Sequence, residues 1–201
     1  GGRLLREQEQ VDGKPAKDWV AETVAALDAM PNVRRMTRTT VTGAYDQGTY
    51  GALEYVVGPR ADGKPLECFW RIVAKRTILC AGALERPIAF PNNDRPGIMM
   101  ASAVRAYVNR WGVAPGKAVA VFGNNDDAHR TARDLAAAGV KVVAVIDSRD
   151  DAKVTGDYPI FTGGQVTATK GRHGLQSVTI THAGGTRTIQ TDCLAMSGGW
   201  N

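Results

Sequence analysis

One stretch of this sequence combines residue types and spacing that could hold a phosphate. Val119-Ala120-Val121-Phe122-Gly123-Asn124-Asn125-Asp126-Asp127-Ala128 passes from an apolar strand pattern into a helical one. At such a strand-to-helix turn, backbone N–H groups and a helix N-terminus face an incoming pyrophosphate. Asp147 closes the next apolar run, where an acid can hold the ribose hydroxyls of an adenosine. The pattern is a variant, because G-x-G-x-x-G/A becomes G-N-N-D-D-A. Asn125 stands where a bare backbone should approach the phosphates, and Asp126 and Asp127 bring negative charge to the same place. Acids in a first helical turn stabilise the helix by roughly 0.3–1 kcal/mol each, but they oppose a phosphate. The turn is therefore expected to keep the fold and to bind nucleotide poorly. Gly123, Asn124, Asn125, Ala128 and Asp147 are its candidate cofactor-binding residues.

Two further strand ends carry small residues that would let a cofactor or another backbone come close. One is Ile78-Leu79-Cys80-Ala81-Gly82-Ala83, giving Gly82 and Ala83 as candidates. The other is Asp192-Cys193-Leu194-Ala195-Met196-Ser197-Gly198-Gly199-Trp200, giving Gly198. Each signal is equally compatible with plain packing. His129, His173 and His182 share no metal-ligand spacing with one another or with the cysteines. His129 reads as a solvated or helix-packed residue and His182 as a surface one. Cys68, Cys80 and Cys193 form no C-x-x-C pair and lie in apolar runs, so buried structural thiols in a reducing compartment are expected. No catalytic residue and no metal ligand is assigned.

These residues need elements to position them. Lys117–Phe122 and Lys141–Ile146 read as two-sided apolar strands around an Ala-rich helix at Asp126–Ala138, a parallel βαβ unit. Before it, Asp18–Met30 has helical spacing and Pro31 stops it. Arg38–Tyr45, Tyr50–Val57 and Glu67–Leu79 read as an antiparallel meander, with an Asp62-Gly63 turn between the last two. Pro87, Pro91 and Pro96 mark a rigid loop. Ala101–Trp111 is helical, with Ser102 as a possible N-cap and Gly112 at its C-terminal end. Gln165–Thr169, Gln176–His182, Arg187–Gln190 and Asp192–Met196 are strand-like. The fold class expected is α/β: a nucleotide-binding-type domain with an antiparallel meander and an inserted Rossmann-like βαβ domain. The boundaries expected are 1–115 for the first domain, 116–190 for the insertion, and 191–201 for a strand returning to the first.

Composition narrows the function classes. With 43% hydrophobic and 22% charged residues the chain can build a core rather than stay disordered. Its net charge of +5 comes from basic residues that are scattered rather than gathered on one segment, so no nucleic-acid footprint is expected. No apolar run has the length of a membrane span and no signal peptide is visible, which points to a soluble, cytoplasmic protein. The start without Met and the ending at Trp200-Asn201 suggest a piece of a longer polypeptide.

Taken in order, the glycine loop, helix, meander, A-G-A run, proline loop, βαβ unit and D-C-L-A-M-S-G-G-W resemble the disulfide-reductase-type flavoproteins, which insert one nucleotide domain in another. Within them, Glu85-Arg86-Pro87-Ile88-Ala89-Phe90-Pro91-Asn92-Asn93-Asp94-Arg95-Pro96-Gly97-Ile98-Met99 resembles the α subunits of heterotetrameric sarcosine oxidase. So do Ala106-Tyr107-Val108-Asn109-Arg110-Trp111-Gly112-Val113, the G-N-N-D-D-A variant and the closing S-G-G-W-N. The resemblance covers essentially the whole chain. It implies oxidative demethylation of sarcosine to glycine with peroxide formation, FAD, FMN and NAD in the intact enzyme, and partner β, γ and δ subunits. The chain lacks the family's N-terminal G-x-G-x-x-G strand and C-terminal folate-type region. It is therefore expected to bind no cofactor and to be non-catalytic alone. Two alternatives stay open: part of an amine, opine or cyanide-forming glycine dehydrogenase, and a non-catalytic scaffold on which subunits assemble.

Overall fold

The computed structural model describes residues 2–56 and 65–201. The elements are β1 Gln10–Val11, β2 Lys14–Pro15, α1 Ala16–Asp28, β3 Thr39–Tyr45, β4 Thr49–Tyr55, β5 Glu67–Val73, β6 Ile98–Met100, α2 Ala101–Trp111, β7 Val119–Gly123, α3 Asp126–Ala137, β8 Val142–Asp147, β9 Ile160–Thr162, β10 Gln165–Lys170, β11 Ser177–His182, β12 Gly185–Gln190 and β13 Cys193–Ser197. The α/β class is as expected. Contacts divide the chain into two compact units, Val20–Gly82 and Gly1–Trp19 with Ala83–Asn201.

The smaller unit holds the antiparallel sheet β3-β4-β5. Here Trp70 donates to Glu54 at 2.7 Å and lies under the guanidinium of Arg34 at 4.3 Å. The third strand stops at Val73, well short of Leu79. Its expected continuation is no strand: Ile78 and Leu79 are 88% and 86% exposed. β-branched and apolar character alone does not make a strand when no neighbour offers its backbone. The Asp62-Gly63 turn lies outside the described residues.

The larger unit is built on a parallel sheet in the order β6-β13-β7-β8-β9. Its strands are covered on both faces, which is why they read as continuous apolar runs. Val119 and Val121 of β7, with Val145, Cys193 and Ala195, pack under Val104 of α2 and Ala128, Ala132 and Leu135 of α3. Ala120 and Phe122, with Ile146 and Leu194, pack on Val166, Val178, Ile180 and Ile189 of the meander β10-β11-β12. Helices, parallel sheet and antiparallel sheet thus form three layers.

β13 runs parallel to both of its neighbours, with Leu194 opposite Ile98 and Ala120. The expectation for residues 191–201 is a strand returning to the first domain, and β13 pairs on one side with β6, within the expected span 1–115, and on the other with β7, within the expected insertion. The strand is fully apolar because it is interior to this sheet. Only the residues just beyond it turn back: Trp200 bridges Glu85, and Gly198 N–H donates to the Arg86 carbonyl at 2.7 Å.

Candidate functional site

β7 is the pivot of the parallel sheet. After it the chain moves to β8 and β9 on one side, while β13 and β6 lie on the other. In open α/β sheets ligands bind outside the carboxyl ends of the strands, at such a reversal. Here that crevice lies between Gly123 of β7 and Ser197 of β13, which are paired in register.

The residues of the G-N-N-D-D-A turn have distinct tasks. Gly123 must lack a side chain, because a Cβ there would meet the Ala128 Cβ at 2.5 Å and the Ser197 carbonyl at 3.2 Å. Gly123 and Ala128 therefore keep the close strand–helix packing that the phosphate-binding pattern also needs. Asn125 is the N-cap of α3. Its Oδ1 accepts from the N–H groups of Asp127 and Ala128, at 3.0 and 3.2 Å. Its Nδ2 donates to the carbonyl and the hydroxyl of Ser197, each at 3.1 Å. The Asn124 N–H also donates to the Ser197 carbonyl, at 3.3 Å. The donors that a pyrophosphate would use are taken up by Asn125.

Asp147 is at the carboxyl end of β8 and fully buried. His129 Nε2 shares a hydrogen bond with its Oδ2. Arg149 supplies its backbone N–H at 2.8 Å, Nε at 3.1 Å and Nη2 at 2.8 Å. Burial opposes ionisation of this carboxyl, but the bonds from Arg149 and His129 outweigh it and hold the group below the usual carboxylate range. The hydrogen bonds of Arg149 to Asp147 and Asp126 raise the guanidinium in turn. A carboxylate so engaged has no spare lone pair set aside for a ribose hydroxyl.

The two acids of the turn part company. Asp126 is on the surface and pairs with Arg149 at 2.8 Å. Asp127 turns inward to Arg3 at 2.6 Å and to the fully buried Arg105 at 3.3 Å. Sequence spacing did not show this, because Arg3 and Arg105 are remote in the chain.

The other candidates are less connected. Gly198 is small because a Cβ would strike the Arg86 and Pro87 carbonyls, at 2.9 and 3.0 Å, so the chain's own proline loop is what comes close. Gly82 has a positive φ of 81° with open space at its Cβ position, and belongs to the smaller unit. Ala83 precedes Leu84, whose N–H and carbonyl pair with Asn201.

Sequence reading missed His129, which is neither solvated nor merely packed on its helix. Its position eighteen residues before Asp147, one turn into the helix after Gly123, was the available signal. His182 is half-buried against the Phe161 ring at 5.0 Å. Of the cysteines only Cys193 is buried, and burial with Asp192 nearby pushes its thiol up to about 12. Cys68, within β5, is half-buried and Cys80 is exposed, which corrects the expectation of buried thiols; Cys80 lies beyond the early end of β5. Among the described residues no group of three or more His, Cys, Asp or Glu could hold a metal ion, and no helix is long and apolar enough to cross a membrane.

No family model matches the chain. Over its whole length it is 46% identical to the sarcosine oxidase α subunit of Rhizobium meliloti (strain 1021), of which it covers 21%. It is 39% identical to that of Corynebacterium sp. (strain P-1), of which it covers 23%. One of the opine oxidase subunits of Agrobacterium tumefaciens (strain Ach5) matches 65% of the chain at 28% identity, over 25% of its own length. The chain thus spans about a fifth of the length of the curated sarcosine oxidase subunits it matches. Among solved structures, L-proline dehydrogenase from P. horikoshii superposes over the whole chain and 35% of its own, with TM-score 0.68 and 23% identity. A NAD-dependent persulfide reductase from A. fulgidus covers 88% of the chain and 34% of its own, with TM-score 0.61 and 14% identity. The resemblance read from the sequence, to an internal stretch of a sarcosine oxidase α subunit, is borne out, and so is the α/β fold class.

Proposed function

We propose that this chain is the segment of a sarcosine oxidase-type α subunit that carries its second nucleotide-type unit, and that the assembled enzyme oxidatively demethylates sarcosine to glycine with formation of peroxide. The observation that carries this reading is identity of 46% maintained over the entire chain. The opine oxidase match is weaker and shorter, so a substrate of that kind is the less supported reading. FAD, FMN and NAD, and partner subunits of β, γ and δ type, are part of the same proposal for the intact enzyme.

Within this chain the residues do not fit a dinucleotide at the Gly123 turn. The N–H groups of Asp127 and Ala128 are bonded to Asn125, and the Asp147 carboxylate is engaged by Arg149 and His129. What they do instead is hold β7, α3, β8 and β13 in register. The role assigned to the segment is structural: a nucleotide-type fold kept as a frame for the subunit, with no chemical step on its own side chains.

The test is a chimera. This chain replaces the matching segment of a sarcosine oxidase α subunit, which is co-expressed with its partner subunits. The reading expects assembly, bound flavin and sarcosine-dependent peroxide near the parent's rate. A chimera that assembles but oxidises only another amine, or one that does not assemble at all, would sink it.

A further inference from the structure

Residues 3–9 lie across the helical layer of the larger unit and are held there by charge. Arg105 of α2 is fully buried, and its Nη2 meets Glu7 Oε1 at 2.8 Å and Asp127 Oδ2 at 3.3 Å. Glu7 is almost as buried, with 1% of its side chain exposed. Arg3 reaches the same two acids, with Nε 2.9 Å from Glu7 and Nη2 2.6 Å from Asp127. Arg130 adds Glu9 at 3.0 Å, and Asn109 ties the Arg6 carbonyl at 2.9 Å to Asp134 at 2.8 Å. The guanidiniums of Arg3 and Arg6 lie over the Trp200 ring, 5.3 and 5.6 Å from its centre.

The place where this happens matters more than the count of pairs. Asp127 is in the first turn of α3, at the carboxyl end of β7. Trp200 follows the carboxyl end of β13. The N-terminal end of α2, directly after β6, is met by Glu85, which accepts from the Ser102 N–H at 2.8 Å. The carboxyl edge of the parallel sheet is therefore where the strap begins. Two arginines, one of them fully buried, converge on a helix N-terminus there. Two guanidiniums so placed suit a phosphate group, and what fills the cluster is a pair of the chain's own carboxylates, Glu7 at 2.8 Å and Asp127 at 3.3 Å from Arg105.

We propose that Asp127 is a built-in anion: its carboxylate takes the seat that a phosphate group would take between Arg3 and Arg105 at the first turn of α3, and the strap of residues 3–9, with Glu7 on the same two arginines, closes over it. Asn125 satisfies the backbone donors, and Asp127 with Glu7 satisfies the arginines, so the mouth of the unit is closed from inside. Buried Arg105 gives the closure its strength, because an arginine without a counter-charge in that position is costly. The proposal rests on reading the Gly123 turn as nucleotide-type, but not on which amine the whole enzyme oxidises.

Chemical rescue tests it. The 201-residue chain and its Asp127→Ala variant are compared by hydrogen exchange of residues 3–9 and by thermal melting, with inorganic pyrophosphate or with sodium chloride at matched ionic strength. The unchanged chain is expected to protect residues 3–9 and to gain nothing specific from pyrophosphate. The variant is expected to exchange there about tenfold faster or more, as the loss of a charge-assisted bond implies. Pyrophosphate, and not chloride, should then restore protection saturably. Arg3→Ala, at a side chain 43% exposed, should loosen the strap with little change in melting temperature, which keeps the test open if Asp127→Ala does not fold. Three results would overturn the proposal: saturable pyrophosphate binding by the unchanged chain, a strap that stays protected in both variants, or equal rescue by chloride. None of them bears on the chimera experiment, so the two readings fail separately.

Discussion

Removing the Asn125 side chain would strip two jobs from one residue. Asn125→Ala leaves the Asp127 and Ala128 N–H groups without their cap and cuts the bridge to Ser197. The cap alone is worth about 1–2 kcal/mol, so urea unfolding of this variant should lose at least that, while Asn125→Asp, which keeps the cap, should lose less. Acid should act on the neighbouring carboxyls. Asp147 and Asp127 have folded-state values below the ordinary one; for Asp127 burial opposes ionisation, but the charges of Arg105 and Arg3 outweigh it. Depressed carboxyls of this kind contribute stability above the unfolded value of about 3.9. That contribution is lost as pH falls through the lower folded values. Melting temperature should therefore drop steeply below about pH 4, and Asp147→Asn, already less stable at neutral pH, should show a shallower acid limb. An unchanged acid limb would remove Asp147 from this account. The sequence made these positions visible but not their use. Asp147 was legible because it ends an apolar run. Its engagement by His129 and Arg149 was not, because a side chain's partner depends on the rotamer that packing selects.

The elements divide by how local their signals are. α2 ends as its composition suggests, with Gly112 in the left-handed conformation at φ 64°, but Met100 and not Ser102 is its N-cap: Ser102 lies inside the first turn, where its N–H is met by Glu85. β7, α3 and β8 also read correctly to within a residue or two, because two buried apolar runs around a helix have one common solution. β6 and β9 were missed: each is three residues long, too short for a period to declare itself. The place of β13 shows in its composition: the wholly apolar run marks an interior strand, and the small residues after it mark the turn that leaves the sheet. That position has a measurable consequence. Leu194 is fully buried between β6 and β7 on the meander side. Leu194→Ala should cost roughly 2–5 kcal/mol. The loss should register equally on probes in the parallel sheet and in the meander β10-β11-β12, since both pack on that side chain. If only one of the two layers melted early, β13 would not be the shared core element that its pairing indicates.

At the scale of the whole chain, the filled turn leads to the expectation that the purified chain seats no flavin. Its sequence has no G-x-G-x-x-G, and the one nucleotide-type turn it contains is filled by Asn125, Asp127 and the arginines that meet them. Oxidation of an N-methyl amine must pass two electrons to an acceptor, and no side chain of this turn can take them. Apolar residues also stand uncovered: Ile78, Leu79 and Leu84 are each more than 80% exposed. Side chains of this size gain about 1.5–3 kcal/mol each when fully buried, so a longer polypeptide or a partner subunit that covered them would be held firmly. Two outcomes follow for the purified chain. It should show no flavin absorbance and no sarcosine-dependent peroxide, measured against the same segment within an assembled enzyme. It should also bind a hydrophobic dye, and that binding should fall when Ile78→Ser and Leu79→Ser are combined, with melting temperature nearly unchanged because neither side chain is packed. Stoichiometric flavin carried through purification would contradict the first. A large fall in melting temperature for the double serine variant would contradict the second, because it would mean that this segment is packed in the chain and has no surface left to offer a partner.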